Sequence, residues 1–67
     1  MSLQQRSEVK VSCGIALQLK HVVQHLRDHG IPAYMYRGRY VQVERGELWV
    51  NHDIAADQLI YRWFTHE

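Results

Sequence analysis

Five histidines and one cysteine are the side chains of this 67-residue sequence best suited to hold a metal or to act as a nucleophile. Three of them, His21, His25 and His29, stand at i, i+4 and i+8. A histidine pair one helical turn apart can chelate a borderline ion such as zinc. A third cannot join the pair, because on a helix of 3.6 residues per turn the face drifts by about 40° with every fourth residue. No cysteine or acidic residue has the spacing to complete the set. The expectation is a solvated flank with one histidine near the negative end of its helix, and neither a metal nor any other cofactor is assigned.

Cys13 has two readings. A position just before a helix N-terminus can depress a thiol pKa and create a nucleophile. Alternation instead places Cys13 on one face with Val9 and Val11, which predicts a buried, inert thiol. The sequence contains no readable Ser, His and Asp arrangement, no paired carboxylates and no glycine-rich phosphate loop. The chain is therefore expected not to be an enzyme.

The aromatic residues say more. Tyr34, Tyr36, Tyr40 and Trp49 fall in a stretch with Arg37 and Arg39 at a turn. If the stretch is a sheet, its rings share a face away from the aliphatic residues. Cross-strand aromatic pairing alone would account for that. Two functional readings compete with it. Tyr, Trp and Arg are enriched at protein interface hot spots, so the face could bind a protein partner or a second copy of the chain. The same rings could also stack on single-stranded nucleic acid, with the arginines on phosphate. Charge favours protein: only Arg37, Arg39 and Arg45 cluster, and Glu44 and Glu47 dilute them.

These residues need a scaffold, and the scaffold is read from punctuation and period. Gly30 followed by Ile31-Pro32 stops a helix and starts a strand. Beyond it, Ala33 and Met35 alternate with Tyr34 and Tyr36, Val41 and Val43 with Tyr40 and Gln42, and Leu48 and Val50 with Trp49. A three-residue loop, Arg37-Gly38-Arg39, keeps the faces matched by pairing Tyr36 with Tyr40, Met35 with Val41 and Ala33 with Val43. The alternative is one bent strand over residues 33–44 with Gly38 as its bulge. A two-residue turn at Arg45-Gly46 would pair Glu44 with Glu47, Val43 with Leu48, Gln42 with Trp49 and Val41 with Val50.

Before this meander, Glu8 to Cys13 alternates as a short strand, and Ser12 is placed to cap the next helix. Residues 14–29 carry Ile15, Leu19, Val22, Val23 and Leu26 at helical spacing. After it, Asn51-His52-Asp53 offers capping side chains. Ala56, Leu59, Ile60, Trp63 and Phe64 recur at i, i+3, i+4, i+7 and i+8, predicting a closing helix. Both helices would cover the aliphatic sheet face, giving an α/β (α+β) two-layer sandwich of order strand, helix, meander, helix. The first strand would run parallel to the strand after the first helix if they share a sheet. Residues 1–7 show no periodicity and are expected to form a disordered tail to a single domain over residues 8–67.

An apolar content of 46% with 22% charged residues is globular composition, on a chain small enough to gain from dimerisation. A net charge of +1 gives no bulk attraction to nucleic acid or membrane. One cysteine excludes an internal disulfide and suits a reducing compartment. No apolar run has the length of a signal peptide or a membrane span, so the expected location is cytoplasmic, without membrane insertion or an identified small-molecule substrate.

Gly30-Ile31, Leu48-Trp49-Val50 and the segment opening at Asp53 together resemble two bacterial families over Leu19 to Trp63. One is a family of small prokaryotic signal-transducing domains with a truncated ferredoxin-like, PII-like fold. The other is the cytosolic N-terminal domain of bacterial rhomboid proteases. The resemblance implies a regulatory or protein-binding module with a truncated ferredoxin-like fold. It transfers no functional residues, and rhomboid catalysis is not carried over to a sequence without membrane segments.

Overall fold

A computed structural model describes residues 2–67. In chain order the elements are β1 (Leu3–Ser12), α1 (Cys13–Ala16), α2 (Leu19–Asp28), β2 (Ala33–Tyr36), β3 (Tyr40–Val43), β4 (Glu47–Asp53) and β5 (Gln58–His66). The fold is α+β with two antiparallel sheets. One has three strands in the order β1-β5-β4, and the other is the β2–β3 ribbon.

The alternation read in β1 is the device that builds the larger sheet. Val9 pairs with Tyr61 and Val11 with Leu59 on β5. On the other side of β5, Val50 pairs with Tyr61 and Leu48 with Trp63. Residues opposite one another share a face, so Val9, Val11, Leu59, Tyr61, Trp63 and Leu48 all point to one side. There they meet Val22, Val23 and Leu26 of α2, together with Ile31 and Ala33. The core lies between this sheet face and α2.

α2 ends as its sequence requires. Gly30 is left-handed at φ 84°, its N–H donates to the Arg27 carbonyl (3.0 Å), and the Ile31 N–H donates to the Leu26 carbonyl (3.0 Å). This is a Schellman cap, and its hydrophobic pair, Leu26 with Ile31, is fully buried. The long helix expected over residues 14–29 is broken. Leu17 and Gln18 interrupt it, and Gln18 is extended at φ −114°, ψ 91°. Neither residue is a helix breaker, so propensity gave no sign of the interruption. Ser12 occupies the N-cap of α1 but makes no side-chain capping bond.

The ribbon has the expected three-residue loop and register: Ala33 with Val43, Met35 with Val41 and Tyr36 with Tyr40. Arg37 and Gly38 are both left-handed (φ 56° and 66°), and Arg39 N–H donates to the Tyr36 carbonyl. Val41 and Val43 pack against the core, while Tyr36 and Tyr40 are exposed. The bent-strand alternative is excluded.

Four expectations are corrected. The closing helix is strand β5, paired on both sides, so the element that a truncated ferredoxin-like arrangement needed as its second long helix belongs to the sheet. The capping hydrogen bond read at Asp53 exists, but it closes a turn: Asp53 Oδ1 accepts the Ala56 N–H (3.2 Å). Asp57 is left-handed (φ 53°), and the chain returns as β5. An N-cap and an aspartate turn use the same local bond, and Leu59 to Phe64 is apolar but for Arg62, so period could not decide between them. Second, β3 and β4 belong to different sheets, so the Arg45-Gly46 hairpin and its pairing of Val43 with Leu48 do not form. Third, β1 and β2 fall in different sheets, so the shared-sheet condition under which they were expected to run parallel does not arise, and β1 runs antiparallel to β5. Fourth, the expected tail is strand from Leu3 onward, held to β5 across a bulge at Arg6, whose Nε donates to Thr65 Oγ1 (2.7 Å). Met1 lies outside the described residues.

Gly46 is fixed by close approach. A Cβ there would collide with the Phe64 carbonyl oxygen and press on the Trp63 indole. Arg45, left-handed at φ 60°, redirects the chain just before this contact.

Candidate functional site

Trp49 sits near the middle of β4, on the sheet face opposite the core, and is 49% exposed. Its ring packs on Phe64 of β5 with centroids 4.7 Å apart at 40°. Its Nε1–H donates to Glu47 Oε2 (3.0 Å). Directly across from Trp49 stands Arg62, whose Nε donates to Glu8 Oε2 (2.9 Å) and Nη1 to Asn51 Oδ1 (2.8 Å). The outer face of the sheet therefore carries two stacked rings beside an arginine already matched to a carboxylate. Phe64 and Arg62 do not stand out in the sequence because the spacing of their segment predicts a helix, which would turn Phe64 into the core.

Tyr34, Tyr36 and Tyr40 share the outward side of the ribbon. Tyr34 is half-buried and donates to Gln42 Oε1 (3.2 Å). Tyr36 carries the Arg37 guanidinium 5.2 Å from its ring centroid, and Arg39 is exposed at the same tip. The rings are thus outward as expected, but they do not form one surface. The three tyrosines lie on the ribbon, and Trp49 lies on the other sheet.

Where β3 and β4 part, they leave a cleft of about 460 Å³ lined by Val41, Gln42, Val43, Gly46, Glu47, Leu48 and Trp49. Its two walls are strand edges with no strand hydrogen-bonded to them among the described residues. Trp63 Nε1, against Gly46, is buried and finds no acceptor among the described residues.

A second constellation lies at the far end of the same sheet. Cys13 Sγ and His52 Nε2 are 3.4 Å apart, and with a carboxylate oxygen of Asp57 they form a group whose ligand atoms all lie within 4.8 Å of one another. The backbone holds this group in place, since Cys13 N–H donates to the Asp57 carbonyl (3.2 Å). Desolvation, and then Asp57 through a hydrogen bond and its charge, push the Cys13 thiol above its ordinary value. A thiol held protonated in this way is not an activated nucleophile. Cys13 is half-buried, not the buried residue expected from alternation.

The helix histidines do not converge. His21 and His29 are exposed, the His25 and His29 rings lie 5.0 Å apart at 40°, and His29 Nδ1 is engaged by the His25 carbonyl (2.9 Å).

Among the described residues no helix is long and apolar enough to cross a membrane. No protein-family model, curated protein or solved structure matches the chain.

Proposed function

We propose that this chain is a small non-catalytic regulatory or adaptor module that acts by binding protein, and that its first partner is a second copy of itself. The observation that carries this reading is the exposed edge of β4 with Trp49 stacked on Phe64 beside it. An unpaired strand edge is a template for another strand, and proteins that must stay monomeric blunt it with proline, lysine or a cover. β4 has no proline and no lysine, its charged residues Glu47 and Asp53 stand at its two ends, and Val50, Asn51 and His52 between them are exposed. Two such edges pairing antiparallel about a twofold axis would join the sheets in the order β1-β5-β4-β4-β5-β1, an interface in which one patch meets itself. The mixed charges of Glu8, Arg62 and Glu47, on a chain of net charge +1, give copies little reason to repel.

Single-stranded nucleic acid is the less favoured occupant, because Arg62, the arginine nearest the stacked rings, is tied to Glu8. The test is a concentration series by analytical ultracentrifugation beside fluorescence-polarisation titration with short oligonucleotides. The expected result is a reversible dimer. Trp49→Ala should weaken it by more than about tenfold, the scale of losing one interface hot spot, with far-UV circular dichroism unchanged, whereas Tyr36→Ala, on the ribbon, should leave it intact. A wild-type chain that stays monomeric throughout and binds oligonucleotides in a salt-sensitive way overturns the reading.

A further inference from the structure

We infer that Cys13, His52 and Asp57 form a binding site for a borderline divalent cation, zinc being the natural occupant. The site shares His52 with the β4 edge, but its argument does not rest on the protein-binding reading above.

The three residues come from three elements: the first residue of α1, the end of β4 and the last residue of the β4–β5 turn. They offer one thiol, one imidazole and one carboxylate. Hard cations such as magnesium and calcium take all-oxygen sites, whereas a sulfur, nitrogen and oxygen set suits zinc and its neighbours in the transition series. A tetrahedral zinc with bonds of about 2.0–2.3 Å places its ligand atoms roughly 3.3–3.8 Å apart. Cys13 Sγ and His52 Nε2, at 3.4 Å, already stand at that separation. A carboxylate oxygen of Asp57 lies within 4.8 Å of both. Three protein ligands leave the fourth position to water.

The surroundings favour a cation over the bare ligands. A thiol, an imidazole and a carboxylate brought together from three elements offer a divalent ion a mixed donor set that none of those elements presents alone. His52 and Asp57 are exposed and Cys13 is half-buried, so the ion has an open approach. Once bound, it would tie the junction of β1 and α1 to the β4–β5 turn.

Titration of the reduced protein with Co²⁺, followed by absorption, reads the thiolate directly through its charge-transfer band. The expected result is a band that Zn²⁺ abolishes by displacement, and a melting temperature that rises with Zn²⁺. Cys13→Ser should lose the band and the thermal shift while keeping its far-UV spectrum, and His52→Ala and Asp57→Asn should weaken both. His21→Ala with His25→Ala should leave them intact. Absence of the band and of the shift in the wild type overturns the site. So does a thermal shift that survives Cys13→Ser but disappears with the two helix histidines. The dimer assay is run without added metal, so either proposal can fail without the other.

Discussion

The three-stranded sheet and the β2–β3 ribbon are both antiparallel, yet they are held by different means. In the ribbon, the partners Tyr36 and Tyr40 are separated only by the loop that turns them. In the sheet, β1 and β5 are joined by Val9 with Tyr61 and Val11 with Leu59, from opposite ends of the sequence. The ribbon's register is a local matter of turn chemistry, while the sheet's register must be won by burying a shared face. Stability runs the other way. A two-stranded hairpin is marginal in water by itself, and this one leans on α2 through Arg27, whose Nε donates to the Ala33 carbonyl (2.7 Å). β5 has partners on both sides and its Tyr61 in the core.

The seam between the two regions is where the comparison can be broken hardest. Gly46→Ala puts a methyl group against the Phe64 carbonyl and should cost about 3 kcal/mol. That approaches the whole stability a core this small supplies, so the cooperative thermal transition should be largely lost by circular dichroism. An unchanged transition would mean that ribbon and sheet are not joined through this contact. Arg27→Ala should have an intermediate effect, about 1–2 kcal/mol, because it removes a part-buried charged hydrogen bond. Hydrogen exchange should show β2 and β3 amides losing protection before those of β5. Equal loss in both would make the ribbon an integral part of the sheet's folding unit. Smallest is Glu8→Ala, which breaks the exposed pair with Arg62 and should cost under about 1 kcal/mol in chemical denaturation. A larger loss would show that the outer face contributes to the sheet beyond its surface role.

The same contrast explains what could be read in advance. The register of Ala33 to Val43 follows from period and loop length, which both act within a dozen positions, although those positions also allow one bent strand with Gly38 as its bulge, and the observed pairing decides between them. Val9 and Val11 were legible as alternation, but Leu3 to Ser7, mostly polar, becomes strand only because β5 pairs with it. β5 reads as a helix because its outer-face positions carry Ile60 and Phe64 beside Arg62 while Leu59, Tyr61 and Trp63 fill its core face, so apolar residues on both faces erase the period of two. The exposure of Tyr36, Tyr40 and Trp49 followed from strand phase. The meeting of Cys13 with His52 and Asp57 could not follow from spacing, since 39 residues separate the first two and the third was placed on a helix that does not exist.

Because β5 is the strand that joins β1 to β4, the order of synthesis matters. A ribosome delivers β1, both helices, the ribbon and β4 before the segment that unites them. Without β5, β1 and β4 are bare edges, open to pairing with the wrong neighbour. The sheet should therefore assemble late and all at once, and a released chain truncated just before Gln58 should aggregate or be retained by chaperones.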